Sequence, residues 1–292
     1  MHEKIQDFLN FLDTEKGYAD NTIAAYRNDL TQFLRYLEEQ DGHSEEAGWA
    51  DIDKESIINY VLSLKEREYT SSTVARKVAA IKSFFHFLMA EKVVSDDPTA
   101  TLNSPKVKKR LPKAISRDDI ELLLAAPAQG MSAKSQRDHA LLELLYASGM
   151  RVTELVSLDV GDVNLDADSV RVRGKKASSK ERMIPIGDRA LQALRDYLNK
   201  GRLQLVRAPE ERALFLNHRG QRLTRQGLWL IIKHYVDEVG ISEDVTPHTL
   251  RHSFAAHKLS QGKSLQDIQK LLGHANISTT QVYQHVGQET ES

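Results

Sequence analysis

Ser169-Val170-Arg171-Val172-Arg173 and Arg182-Met183-Ile184-Pro185-Ile186, joined by the polar segment Gly174 to Glu181, form the one clear β signal in this sequence. The first run alternates valine with polar residues, and the second is short, apolar and bounded by turn-forming residues. Together they predict a hairpin. On both sides the apolar residues recur every three or four positions, which is the period of an amphipathic helix. A helical chain interrupted by one small sheet is therefore expected. The fold class is mainly α, with an all-α N-terminal domain and a mostly α second domain carrying a small antiparallel sheet.

Working upstream, Ile5, Phe8, Leu9 and Leu12 fall at helical spacing. A second helix begins near Asn21, with Ile23, Tyr26, Leu30, Phe33, Leu34 and Leu37 on one face. Asp53 reads as the N-cap of a helix from about Lys54 through Leu64. A fourth helix spans roughly Ser72 to Glu91, with an apolar stripe of Val74, Val78, Ile81, Phe84, Phe85 and Leu88. Arg76, Lys77 and Lys82 are assigned to its opposite face. Asp97-Pro98 stops that helix, and Pro105 to Lys113 is bracketed by prolines and dense in positive charge. The expected division is a helical domain over 1–103, a basic linker over 104–114 and a second domain over 115–292. A lone basic run most often only solvates a linker. Between two domains it also suits a strap around a duplex, because each cation near a phosphate releases counterions.

Downstream of the linker, Ser116 caps a helix through Leu124, and another runs from about Ser135 to Ala147 and ends at Gly149. After the hairpin, helices resume near Asp188 and include Thr224–Val239, Pro247–Leu259 and Leu265–Leu272.

Composition narrows the function classes. Hydrophobic residues make up 40% of the 292 and charged residues 28%, ample apolar material for a core in a chain long enough for two ordinary domains or one large one. Lysine and arginine number 40 against 41 acidic residues, so a nucleic-acid surface would have to come from local clustering. The absence of cysteine excludes disulfides, cysteine-ligated zinc, iron–sulfur clusters and a thiol nucleophile. No apolar run approaches a membrane span, and the first residues lack a signal-peptide pattern, so cytoplasmic residence is expected.

Three motifs carry chemistry. In Thr246-Pro247-His248-Thr249-Leu250-Arg251-His252, Thr246 suits the N-cap and Pro247 the first helical position. His248 then lies in the first turn with Arg251 three residues on, and the exposed amides there suit an anion. In Leu271 through Tyr283, Gly273 reads as a left-handed C-cap that places His274 at a helix exit. Ser278 reads as the cap of the next short helix, with Tyr283 on it. In Gly149-Met150-Arg151-Val152-Thr153-Glu154, Arg151 opens a helix and Glu154 can hold its guanidinium. Each has a bland counterpart: capping residues, a packing tyrosine, a routine ion pair. A metal-dependent hydrolase using His248, His252 and His257 is a rival reading. It is weakened because no carboxylate sits between the first two, as the zinc-protease helix requires.

As a joint pattern the motifs resemble the tyrosine site-specific recombinases of the phage-integrase family, in particular the XerC/XerD branch. Leu145 through Leu155, Thr249 through His257 and Leu272 through Thr280 carry the likeness. The resemblance implies a SAM-like core-binding N-terminal domain and a catalytic domain that cuts and rejoins DNA through a 3′-phosphotyrosyl link, with no metal and no other cofactor. It implies Tyr283 as nucleophile, Arg151 and Arg251 as phosphate clamps, His274 as a further phosphate donor and His248 as general base. A turn lysine supplies the leaving-group proton. Lys175 is chosen by its place after the strand, and Lys176 stays open. Glu154 supports Arg151. Arg225 and Gln226 resemble a major-groove element, and Arg76, Lys77, Lys82 and Arg182 are further expected DNA contacts. The implied partners are a double-stranded recombination site, a homo- or hetero-tetramer with a paralogous recombinase, and a DNA translocase of the division machinery, with no membrane. The role implied is resolution of chromosome or plasmid dimers, with integration of a mobile element as the alternative. Only Gln284 to Ser292 follows the nucleophile, which is shorter than the C-terminal helix usual in this branch.

Overall fold

The computed structural model describes residues 1–39, 48–103, 105, 114–174, 181–242, 244–274 and 276–283. The chain divides into two compact units, Met1–Lys109 and Arg110–Ser292, and each has its own apolar core. The architecture is mainly α with one small antiparallel sheet.

The first unit contains α1 (His2–Thr14), α2 (Asp20–Glu39), α3 (Lys54–Glu66) and α4 (Ser71–Ala90). α1 buries Ile5, Phe8, Leu9 and Leu12, as its spacing requires. Asp53 caps α3 by accepting from the Ser56 amide at 2.8 Å. Aromatic rings fill the centre: Phe8 meets Phe84 edge-on at 5.4 Å, and Trp49 meets Phe84 at 4.8 Å and 78°. Trp49 lies in a single 3₁₀ turn, so helical periodicity gave no sign of it.

α4 corrects one expectation. Lys77 is 2% exposed, because it follows Val74 by three residues and precedes Ile81 by four, which puts it on the buried face. Its Nζ donates to Asp29 Oδ1 at 2.9 Å and to Gln32 Oε1 at 2.5 Å. Arg76 pairs with the other oxygen of the same buried carboxylate. Lys82 donates to the Leu102 carbonyl at 2.9 Å. Lys77 is thus a core ion-pair partner, whereas Arg76 remains exposed and Lys82 half-buried.

The second unit begins with α5 (Arg117–Ala125), α6 (Ala133–Ser148) and α7 (Val152–Val156). The sheet follows as β1 (Val163–Asn164), β2 (Ser169–Val172) and β3 (Arg182–Pro185), in that order and antiparallel. The register sets Val170 opposite Ile184 and Val172 opposite Arg182. Two-residue β1 is too short to leave a period in the sequence. Then come α8 (Asp188–Asp196), α9 (Arg202–Leu205), α10 (Arg225–Val239), α11 (Pro247–Ser260), α12 (Leu265–Leu272) and α13 (Ser278–Gln281).

Gly149 ends α6 with φ 56°, and a Cβ there would collide with the Phe254 ring of α11. The position therefore needs glycine for both its backbone and its packing. The cap of α13 is Ile277, with Ser278 its first residue, so Ser278 is not the cap the sequence suggested. Tyr283 falls in the turn after α13, its amide donating to the Thr280 carbonyl at 3.1 Å. Among the described residues no helix is long and apolar enough to cross a membrane.

Candidate active site

Arg251 is the centre of the site. Thr246 caps α11 by accepting from the Thr249 amide at 3.1 Å, and Pro247 stands in the first turn. This fixes the helix on which Arg251 projects inward, only 6% exposed. Its Nη1 donates to the Gly149 carbonyl at 2.5 Å, and its Nη2 donates to the Leu272 carbonyl at 2.8 Å. Both acceptors stand at helix C-termini, where carbonyls lack intrahelical partners and the dipole favours a cation. Nη2 also donates to His274 Nε2 at 3.0 Å. Burial, aided by the charge of Arg151, lowers the guanidinium to about 10, which leaves it charged at neutral pH.

Arg151 lies beside it as the N-cap of α7, its side chain 43% exposed. Nη1 donates to Glu154 Oε1 at 3.2 Å and Nη2 to the Gly273 carbonyl at 3.1 Å. Glu154 Oε2 accepts from the Arg151 amide at 2.7 Å. The same carboxylate takes a two-pronged contact from Arg182, at 2.9 Å on each oxygen, while Arg182 Nε donates to the Leu271 carbonyl at 3.2 Å. Arg182 is therefore bonded to Glu154 and to α12, with its side chain 19% exposed. β3 aims it inward because its register neighbour Val172 faces the core. Burial acts to raise the Glu154 pKa, but the hydrogen bonds from Arg182 and the Arg151 amide, with the nearby positive charge, hold it below its ordinary value.

Tyr283 is 2% exposed and packs in a small cluster with Phe254, Ile268 and Leu272. Burial raises its pKa, opposed by Arg251 and Arg151, so the phenol is protonated at neutral pH. Its hydroxyl lies 2.7 Å from His252 Nδ1. His274 stacks on the Tyr283 ring at 6.5 Å and 13°, with its Nδ1 2.9 Å from Thr280 Oγ1. Arg251 can only donate, so His274 Nε2 accepts and Nδ1 carries the proton toward Thr280. Burial and the adjacent arginines pull His274 down to about 4, and burial with His248 and Arg251 does the same for His252.

The structure thus brings Arg151, Glu154, Arg251, His274 and Tyr283 into one contact network. His248 is exposed in the first turn of α11 and makes no hydrogen bond among the described residues. Lys175, Lys176, the linker residues 106–113 and the tail from Gln284 lie outside the described residues. Arg225 and Gln226 are exposed at the start of α10, capped by Thr224. His257 Nδ1 lies 2.8 Å from the Tyr146 hydroxyl. Among the described residues no three acidic or histidine side chains are placed to share a metal. Sequence reading missed the contacts of His252, Thr280 and Arg182. Each joins residues far apart in the chain or across a turn, so no periodic signal marks it.

Among the described residues no carboxylate contacts the buried Arg251 guanidinium, and with the half-exposed Arg151 and the sheltered Tyr283 it forms a site suited to an anion. The comparisons name its class. The phage integrase family model matches residues 113–290, and the phage integrase N-terminal SAM-like domain model matches 5–92. The chain belongs to the phage integrase family of tyrosine recombinases. It is 49% identical over 289 residues to the tyrosine recombinase XerC of Herpetosiphon aurantiacus, covering 99% of this chain and 92% of that one. It is 44% identical to the tyrosine recombinase XerD of Oceanobacillus iheyensis, covering 97% and 93%. In fold it is similar to the XerH recombinase solved with a palindromic difH substrate in a post-cleavage complex. That likeness has a TM-score of 0.77 and 21% identity, covering 99% of this chain and 87% of that one.

Proposed function

We propose that the chain is a site-specific DNA recombinase of the Xer kind, in which Tyr283 attacks a scissile phosphate. The attack forms a 3′-phosphotyrosyl link and releases a 5′-hydroxyl. The phosphodiester energy stays in the covalent link, so the strand can be rejoined to another partner without a nucleotide. The observation that carries this reading is the environment of Arg251, which stays charged in a buried site while its hydrogen bonds go to carbonyls and an imidazole. Such a cation offers its charge to an incoming anion at little reorganisation cost.

Arg151 supplies a second, more exposed guanidinium, and the two would bracket the non-bridging oxygens as charge builds on phosphorus. His274 would reach the phosphate when its bond to Arg251 opens. His248, beside the exposed amides of the first turn of α11, suits a phosphate oxygen. Lys175 would protonate the leaving 5′-oxygen, with Lys176 as its alternative. Arg225 and Gln226, exposed at the start of α10, would read base edges. Exchange between two duplexes requires four protomers, so a tetramer on DNA with like or paralogous subunits is part of the reading. Resolution of chromosome or plasmid dimers in the cytoplasm, with a division-linked DNA translocase, completes it. The domain division at 103 and 115 is kept as part of the same reading.

The test uses a nicked suicide duplex carrying a dimer-resolution-like site. The wild type is expected to form a covalent adduct stable to denaturant, and Tyr283→Phe to form none. Cleavage persisting in Tyr283→Phe would remove the nucleophile from the scheme.

A further inference from the structure

We propose that His252, rather than His248, receives the phenolic proton of Tyr283 during cleavage and returns it during religation. This rests on the reading of Tyr283 as the nucleophile. Three histidines surround the site, and their hydrogen bonds separate them. His274 has both ring nitrogens engaged, Nε2 by Arg251 at 3.0 Å and Nδ1 by Thr280 at 2.9 Å. His248 is exposed and touches no hydrogen-bonding partner among the described residues. His252 alone of the three places a ring nitrogen on the phenol oxygen, at 2.7 Å. That distance is within reach for direct proton transfer.

The surroundings support the same assignment. Tyr283 is 2% exposed, so bulk water has little access to its proton. Burial and the neighbouring His248 and Arg251 keep the His252 imidazole neutral. With the phenol protonated, the O–H donates and Nδ1 accepts. His252 follows Arg251 directly on α11, so the helix that holds the phosphate-binding guanidinium also holds the base.

The step balances. The Tyr283 O–H bond breaks and its proton passes to the Nδ1 lone pair, while the phenol oxygen forms the new bond to phosphorus. The bond from phosphorus to the 5′-oxygen breaks, and that oxygen leaves as a hydroxyl with a proton from the turn lysine. Religation reverses every transfer. A neutral imidazole flanked by cations is a weak base in the unliganded protein. An incoming phosphodiester offsets the charge of Arg151 and Arg251, and the phenol becomes more acidic as its oxygen bonds to phosphorus. Both changes favour transfer at the moment it is needed.

The test is single-turnover cleavage of the nicked suicide duplex by the full chain, with Tyr283 or with a tetrafluorotyrosine in its place. The fluorinated phenol is far more acidic than tyrosine and has little need of a base. His252→Ala is expected to slow cleavage by about 10²- to 10⁴-fold with tyrosine, and by less than tenfold with the fluorinated residue. His252→Gln, which can hydrogen-bond but not carry the proton, is expected to match His252→Ala and serves where the alanine variant folds poorly. A variant cleaving within threefold of wild type, or an equal defect with both phenols, overturns the assignment. The wild-type adduct separates this failure from the broader one. If the wild type forms none, the recombinase reading itself is overturned.

Discussion

Lys77 in the first unit and Arg251 in the second are both buried cations, held on opposite terms. In the first unit Lys77 sits against the Asp29 carboxylate, with Arg76 on the second oxygen and Gln32 completing the shell. In the second unit Arg251 is nearly as buried, but its hydrogen bonds end on the Gly149 and Leu272 carbonyls and on His274. The carboxylate whose charge reaches it, Glu154, is bonded to Arg182 and Arg151. Lys77 therefore serves the carboxylate beside it, whereas Arg251 meets no carboxylate among the described residues, and under the proposed function its charge serves the scissile phosphate. Motif matching treats both as basic residues on helices. The counter-charge in contact is what separates the two in the structure.

The largest expected effect follows from that contrast. Arg251→Ala should lower single-turnover cleavage by about 10³-fold or more, since it removes a preorganised donor for the developing charge. Arg251→Lys keeps a cation but loses the planar fork that reaches two carbonyls at once, and should recover only a small part. Full recovery by lysine would show that charge alone matters there, and the comparison would break. Lys77→Met should act on stability. It leaves Asp29 buried with one partner fewer, at a cost of about 2–4 kcal/mol in urea unfolding. Cleavage per folded molecule at saturating DNA should stay near wild type. A loss of DNA affinity with unchanged stability would return Lys77 to the DNA surface.

Arg182→Gln tests the boundary between the two kinds of cation. Its loss frees Glu154 to draw Arg151 away from a phosphate, so cleavage should fall by roughly tenfold, an indirect electrostatic effect. The salt dependence of DNA binding should be unchanged. A phosphate-contacting arginine would instead reduce that slope by about one unit when removed.

These residues also mark how much was legible in the sequence. The helices, the hairpin and most caps were, because periodicity and capping chemistry act over a few neighbouring residues. α12 and its Gly273 stop fell where the pattern put them. Arg151, Arg251, His274 and Tyr283 were singled out because their joint pattern resembles a known family, and the fold brings them close together. What stayed hidden depends on packing between distant segments. Arg182 reaches Glu154 across 28 positions and His252 reaches Tyr283 across 31. Lys77 was misplaced by a local error: its spacing, three after Val74 and four before Ile81, puts it with the buried residues, while the solvent face of α4 runs through Arg76, Ala79 and His86.

The smallest effect is a pH dependence that belongs to one cluster only. His252 and His274 both have folded pKa values depressed to about 4 from 6.5. Below pH 6.5 the unfolded chain binds protons that the folded site refuses, so stability is full above that pH and falls as pH drops toward 4. Both imidazoles are partly exposed, and solvent screening reduces the contribution to about 1 kcal/mol for each. Glu154, held below its ordinary value, loses its own contribution only at the acidic end of the window. The histidine share is therefore read between pH 6.5 and 5. The thermal midpoint should decline there in the wild type and decline less in a His252→Gln, His274→Gln double variant. Among the described residues the Asp29 cluster contains no histidine, so Lys77→Met should lower the midpoint without changing its slope in the same range. A slope that survives the double variant would place the titration outside the tyrosine pocket, and Arg251 would lose the neutral neighbours on which its uncompensated charge depends.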